Sequence, residues 1–467
     1  MGGRYRSDAP LWQHMPIYQQ TASLALVSLV MAVICSALTL SLSGNTGEGD
    51  WTASVYANMA QTAIHGRNLF AFLALLCAIV SYALYQVLPD ASKIVAQVRY
   101  ALYNPTRGNP FHLRNGELLP HVDCKCLGIG RYMLSISAQQ SSCVEAIANA
   151  ASAISSALAN RYQQFAITST DTDLALNSVI FTVENVKVDR SYTFTDVDEM
   201  RPPDITQIMV DQANTIDLTT SGSMLFAGKT RSGKTTGVIA CLLQILLAGP
   251  DSYGSQVVII DPKQAELSRC SHTVTLDEDG EATAILSALK SFEFTTRARQ
   301  RILNDLSESS GDAVKWWDVG FHPSFLFIDE YIACRSIFPK KPRKDSDYCL
   351  DTFDSVLKRI VTMGASAGCF VIISIAEASI QDGGLPAMLR SAMSTRVLFR
   401  PTVPEGRLLW DAEKLEDFPA GRVYSPGDAW FSSTDGVHDT VTYVHFSRLE
   451  FPAYRELGHL LDDYYAH

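Results

Sequence analysis

Positive charge is in short supply in this chain: 38 Lys and Arg stand against 49 Asp and Glu in 467 residues, a formal net charge of −11. That balance excludes a uniformly basic protein that coats nucleic acid. It leaves room for a local basic channel, because electrostatic steering depends on where charges sit. Paired cysteines are missing as well. The ten cysteines are scattered, without the spacings of a disulfide framework, which fits a reducing cytoplasm. Cys124 and Cys126, with His121 close by, lack the second cluster that a four-ligand structural zinc site requires. Internal repeats and low-complexity tracts are absent. No zinc finger, basic helix or C-terminal winged-helix extension is visible that could read bases, so only weak sequence preference is expected of any nucleic-acid contact.

Charge is missing altogether from two stretches. Residues 22–43, "ASLALVSLVMAVICSALTLSLS", and 69–88, "LFAFLALLCAIVSYALYQVL", contain no Asp, Glu, Lys or Arg. About 20 residues suffice to cross roughly 30 Å of hydrocarbon at about 1.5 Å per residue. The first run is too long for the apolar core of a signal peptide, and a second follows it. Two transmembrane helices are expected. Between them Arg67 is the only Lys or Arg, whereas Arg4 and Arg6 precede them and Lys93, Arg99, Arg107 and Arg114 follow. Basic residues stay inside, so both ends are expected in the cytoplasm, joined outside by a loop of about 25 residues.

Residues 89–120, with Pro89, Pro105, Pro110 and Pro120, read as an irregular linker. Residues 121–204 read as a small α+β adaptor domain: a strand "RYMLSIS", a helix over 143–164 and a strand "SVIFTVENVKV", closed by "RPPD". From 205 to 467, apolar runs ("SMLFAG", "QVVIID", "SFLFIDE", "CFVIISI", "TRVLFR") alternate with helical stretches. That alternation implies an α/β fold with a mostly parallel sheet and helices on both faces. The organisation is therefore 1–21 N-terminal segment, 22–88 hairpin, 89–120 linker, 121–204 adaptor and 205–467 motor.

The chemistry sits in the last part. Residues 228–235, "GKTRSGKT", fit G-x-x-x-x-G-K-[ST] after a strand and before a helix. Glycines at Gly228 and Gly233 let backbone N–H groups turn toward phosphate, and the helix N-terminus adds its dipole. The nucleotide-binding set is Gly228, Lys229, Thr230, Arg231, Ser232, Gly233, Lys234, Thr235 and Thr236. Lys234 is expected to reach the terminal phosphates of ATP and the Thr235 hydroxyl to ligate Mg2+. Asp261 and Asp329 each end a strand, and either could hold magnesium. Only Asp329 has an adjacent carboxylate, so Asp329 is assigned to the metal and Glu330 to activating water. For Asp261 the competing expectation is a strand-end turn before Pro262.

These motifs carry a resemblance. "IDPKQAEL" (260–267), "FIDEYIA" (327–333), "GASAGCFVIISIAEAS" (364–379), "STRVLFR" (394–400) and "RLLWDAEKLEDFPAGRVYSPGDAWF" (407–431) follow in the order and spacing of the FtsK/SpoIIIE DNA translocases. Roughly residues 205–435 are covered. The whole chain resembles the membrane-anchored coupling ATPases of Gram-positive conjugative elements, the TcpA and ConQ type. The resemblance implies a RecA-like P-loop NTPase motor that forms a homo-hexamer around DNA, with a relaxase and transfer-channel proteins as further partners. It also implies an arginine acting in trans, for which Arg359, Arg396 and Arg400 are candidates. The chain departs from the family where a glutamine and an arginine are usual: it has Ala376 and Glu377. Alternatives are a chromosome or plasmid partitioning translocase, a protein-secretion ATPase and a nucleotide-switched membrane scaffold.

Overall fold

A computed structural model of the chain describes residues 10–44, 49–103, 116–139, 144–158, 165–173, 175, 177–185, 187–342, 346–376, 385–410, 424–439 and 441–466. The chain divides into two compact units, Met1–Val186 and Lys187–His467.

The first unit opens with a single turn, α1 (Leu11–His14), and then two long helices, α2 (Ile17–Ser43) and α3 (Asp50–Val87). Both are long and apolar enough to cross a membrane. Their apolar side chains point outward: Leu26 is 63 % and Phe72 64 % exposed, unlike those of a core helix. The expected 25-residue loop is much shorter, because α3 already begins at Asp50. The stretch 50–68 contains no proline and a single glycine, Gly66, so nothing in it breaks the helix.

The expected irregular linker is also corrected in part. Residues Asp90–Leu102 form α4, which starts behind Pro89 and buries Ile94, Val98 and Leu102. Proline before the first helical turn starts a helix rather than disrupting one. Of the other prolines named there, Pro105 and Pro110 lie outside the described residues.

An antiparallel sheet follows in the order β1-β2-β4-β3, from β1 (His121–Gly128), β2 (Arg131–Ser137), β3 (Phe165–Thr172) and β4 (Ser178–Asn185). The single helix expected over 143–164 is two short ones, α5 (Val144–Ala148) and α6 (Ala151–Leu158). At the break the Ala150 N–H turns to the Ile147 carbonyl, three residues back. Its ends at 143 and 159–164 lie outside the described residues.

The second unit takes in residues 187–204, which the sequence reading places in the adaptor. There β5 (Thr193–Phe194) pairs in parallel with β16 (Arg448–Leu449) near the end of the chain. A hairpin, β6 (Gln207–Asp211) and β7 (Asn214–Asp217), leads into the main sheet. That sheet has eight strands in the order β10-β9-β11-β12-β8-β13-β14-β15. The six from β10 to β13 are parallel: β8 (Met224–Ala227), β9 (Val257–Ile260), β10 (Thr273–Val274), β11 (Ser324–Ile328), β12 (Cys369–Ile375) and β13 (Thr395–Phe399). Two antiparallel strands, β14 (Asp428–Ser433) and β15 (Thr442–His445), close one edge.

Helices cover both faces. α7 (Lys234–Leu247) and α13 (Ala453–Ala466) bury one apolar core, and α9 (Tyr331–Ile337), α10 (Leu350–Met363) and the first half of α8 (Thr283–Ser310) bury the other. α11 (Ala387–Ala392) and α12 (Val403–Leu409) flank β13. The parallel strands read as mostly apolar runs because both their faces are covered.

Candidate nucleotide site

Ligands of open parallel sheets bind beyond the carboxyl ends of the strands, and there the chain places its motif. β8 ends at Ala227, the loop 228–233 follows, and α7 begins at Lys234. The loop needs its glycines. At Gly233 φ is +94°, and an added Cβ would lie 2.5 Å from the Gly427 backbone nitrogen. The Gly427 N–H donates to the Ser232 carbonyl at 2.9 Å, so the segment before β14 braces the loop from outside. Arg231 also takes a left-handed backbone, with φ 64°. Lys229 pairs with Glu405 of α12 at 3.2 Å, while Lys229, Thr230, Arg231 and Thr236 are exposed and Thr235 is half-buried. The Ser232 hydroxyl is buried and has no partner among the described residues. An orphaned hydroxyl in a loop of inward amides suits an oxygen-rich ligand such as phosphate.

The acid pair lies across the next strands. Asp329 and Glu330 follow β11, which is separated from β8 by β12 alone. From β12 the Ser374 hydroxyl donates to Asp329 Oδ1 at 2.7 Å and accepts the Glu330 N–H at 3.2 Å. Glu330 sits in a left-handed backbone, φ 48° and ψ 57°, a conformation that stores strain in a non-glycine residue. Its Oε1 lies 3.4 Å from Lys234 Nζ and 3.6 Å from Lys263 Nζ. The structure thus joins the loop lysine to the second acid directly. Burial pushes the Asp329 carboxyl above its ordinary range, and the Ser374 hydroxyl and Lys234 only partly oppose it. A charge held at a cost in this way is relieved by a cation.

Asp261 resolves differently. It is fully buried, and its carboxylate accepts the N–H groups of Lys263 at 3.1 Å, Ala265 at 2.8 Å and Ser268 at 3.1 Å. Those bonds fix the turn that carries Lys263, which matches the turn expectation. Among the described residues no group of three His, Cys, Asp or Glu is gathered that could hold a metal. The donors present, Thr235 and Asp329, suit magnesium, which usually binds one or two carboxylates together with substrate phosphates.

The three arginines stand apart from one another. Arg359 donates to both oxygens of Glu293, at 2.6 and 3.0 Å, and to the Ser355 hydroxyl at 2.7 Å, linking α10 to α8. Arg396 on β13 donates to the Leu409 carbonyl at 2.8 Å. Arg400 follows β13 with φ 46° and is exposed, its N–H bonded to the Asp428 carbonyl at 2.9 Å. Ala376 lies half-buried just after β12, and Glu377 falls outside the described residues.

Sequence reasoning missed three contributors: Ser374, Lys263 and Gly427. Ser374 had a signal, being the single polar residue in the middle of "CFVIISI". Strand alternation puts it on the same face as Ala376, the position singled out as a departure. Lys263 and Gly427 lie in the quoted segments "IDPKQAEL" and "GDAWF", but their roles arise from strands and loops far apart in sequence.

No family model matches the chain. Over 151 residues it is 26 % identical to the Ftsk domain-containing protein YdcQ of Bacillus subtilis (strain 168), covering 32 % of this chain and 28 % of that relative. The match thus spans little more than a quarter of the relative's length. Among solved structures, the pCW3 conjugation coupling protein TcpA, in a monomer form with ATPgS, aligns at a TM-score of 0.44 and 14 % identity, over 76 % of this chain and 95 % of that one. EssC (ATPases 2 and 3) from Geobacillus thermodenitrificans aligns at a TM-score of 0.40 and 13 % identity, over 60 % and 52 % of the two chains.

Proposed function

We propose that this chain, whose second unit is a P-loop ATPase motor of the FtsK type, is a membrane-anchored translocase that uses ATP to move DNA, as the coupling protein of a conjugative transfer channel. What carries the reading is the ion pair between Lys234 of the phosphate loop and Glu330 of the acid pair, 3.4 Å apart at the carboxyl ends of a parallel sheet. Loop amides of residues 228–236 hold the phosphates, and Lys234 transfers from Glu330 to the terminal phosphates as they arrive. Thr235 and Asp329 would hold magnesium, which would neutralise charge on the phosphate oxygens. Released from Lys234, Glu330 orients a water and takes its proton. Ser374 keeps Asp329 and Glu330 in register through both steps. Arg400, the exposed member of the three arginines, takes the role of the arginine acting in trans in a hexameric ring on this reading. The α2–α3 hairpin anchors the chain in the cell membrane, with both the segment before α2 and everything after α3 in the cytoplasm.

ATP hydrolysis by the full chain in nanodiscs, measured with and without duplex and single-stranded DNA across a salt series, tests the reading. Stimulation by unrelated sequences that fades steeply with salt is expected, because phosphate contacts release counterions. No DNA response at low salt, together with stimulation by a secreted protein, would replace it with protein secretion. A relaxase gene and transfer origin beside this gene separate conjugation from partitioning.

A further inference from the structure

Glu330 has two cationic neighbours, and the proposed cycle gives only Lys234 a part. The second, Lys263, follows β9, and its side chain is 51 % exposed where that of Lys234 is 7 % exposed. Both ammonium groups approach the same oxygen, Oε1, at 3.4 Å and 3.6 Å. Among the described residues Oε2 has no hydrogen-bond or ion-pair partner. An efficient base is itself oriented by a third group, which leaves its reactive atom facing the proton it takes. For a carboxylate that means one oxygen tied and the other presented.

Strand order sets the two lysines on opposite sides of the acid. β11 lies between β9, which leads to Lys263, and β12, beyond which β8 leads to the phosphate loop. The backbone that carries Lys263 is well fixed. The Asp329 N–H donates to the Ile260 carbonyl at 2.9 Å, which ties the end of β9 to the acid pair. Asp261 then holds the N–H groups of Lys263, Ala265 and Ser268. Gln264 takes a left-handed backbone, φ 51°, and the Ser271 hydroxyl donates to the Gly458 carbonyl of α13 at 3.3 Å. What remains free to follow Glu330 is the lysine side chain.

Charge gives the pairing its consequence. With both lysines at the carboxylate, a half-exposed one adds little to stability. Phosphates that draw Lys234 away also bring several negative charges beside Glu330, whose neighbour Asp329 is a further acid. Those charges repel the Glu330 carboxylate unless a cation stays with it. Lys263 is the cation that stays.

We infer that Lys263 is a positioning residue: it keeps hold of Glu330 Oε1 after Lys234 moves to the phosphates, and so presents Oε2 to the attacking water. The water oxygen bonds to the terminal phosphorus while its proton passes to Oε2. The inference rests on the proposed role of Glu330 as the base, and the test separates the two. In the full chain in nanodiscs, without DNA, Lys263→Met should lower kcat about tenfold, the lower end of what a hydrogen bond to a charged group contributes. KM and the affinity for ATPγS should stay at parental values. Lys263→Arg, which returns a cation to that oxygen, should recover most of the rate. In a Glu330→Gln background, Lys263→Met should add nothing to the loss of single-turnover rate, because a residue that acts through Glu330 then has no base to position. Weaker ATPγS binding would make Lys263 a nucleotide contact, and a faster rate would make it a restraint. Failure of arginine to rescue would take its charge out of the role. Each of these overturns the inference. A parental rate in Lys263→Met, with turnover lost in Glu330→Gln, overturns Lys263 alone and leaves the base standing. A parental rate in Glu330→Gln removes the base, and the inference falls with it.

Discussion

Glu330 rests between two ammonium groups, Lys234 at 3.4 Å and Lys263 at 3.6 Å, in a backbone conformation held by Ser374. On the proposed mechanism its carboxylate stays engaged until a phosphate takes Lys234. Glu330→Gln should therefore keep nucleotide binding and lower turnover by about 10²–10⁴, the usual worth of a positioned base. Single-turnover hydrolysis alongside nucleotide titration checks this, and a parental rate would remove Glu330 from the role. Ser374→Ala makes a different claim. It takes one hydrogen bond from Asp329 and leaves the Glu330 N–H unpaired, at a cost of about 1–3 kcal/mol. The expected outcome is a higher magnesium requirement and lower kcat together with a melting point lowered by a few degrees, read from a magnesium titration and a melting curve.

At the scale of elements, the loop between α7 and β9 is tied to α8 by a buried pair. Arg299 and Asp251 meet at 3.0 Å with side chains 0 % and 2 % exposed. Arg299 also donates to the carbonyls of His322 at 2.7 Å and Ala367 at 3.0 Å, and its guanidinium stacks 4.5 Å from the Phe321 ring. Burial alone would raise the Asp251 carboxyl, but Arg299 and the N–H groups of His322, Ser255 and Tyr253 outweigh it and hold it below its ordinary range. A carboxyl lowered in the folded state contributes stability that is complete above its unfolded value of about 3.9 and is lost as pH falls through the lower folded value. Asp251→Asn should thus cost about 3–5 kcal/mol near neutrality, since it strands a buried guanidinium. The gap between variant and parent should close as denaturation is followed below about pH 4. A gap that is constant with pH would assign the loss to packing instead.

For the whole molecule, the proposed function has to reconcile the charge deficit with the hairpin. On the proposed function, a chain of net charge −11 would thread DNA only where basic groups are locally concentrated, which the steep salt dependence predicted above would report. The hairpin makes its own prediction. Reporters fused ahead of α2 and after residue 120 should read as cytoplasmic, and one in the short connection before Asp50 as external. A connection that reads as cytoplasmic would remove the spanning hairpin.

Local signals determined much of this protein. Mostly apolar runs mark β8, β9, β11, β12 and β13, because a doubly covered parallel strand has little polar face to show. The phosphate loop is legible because glycine, lysine and threonine at fixed spacing answer a backbone requirement within eight residues. What the sequence could not show depends on residues brought together from afar. The neighbouring Glu330 sets Asp329 apart from Asp261 in the sequence, but only the folded turn reveals that Asp261 spends its oxygens on three backbone amides. Ser374 becomes a bridge only because β12 lies between β8 and β11. Residues 187–204 join the second unit through a strand pair with Arg448–Leu449, more than 250 positions away in the chain. Hydrophobic pattern and loop chemistry are local properties, written in order along the chain, whereas strand order and side-chain pairing are settled by which surfaces meet when the sheet assembles.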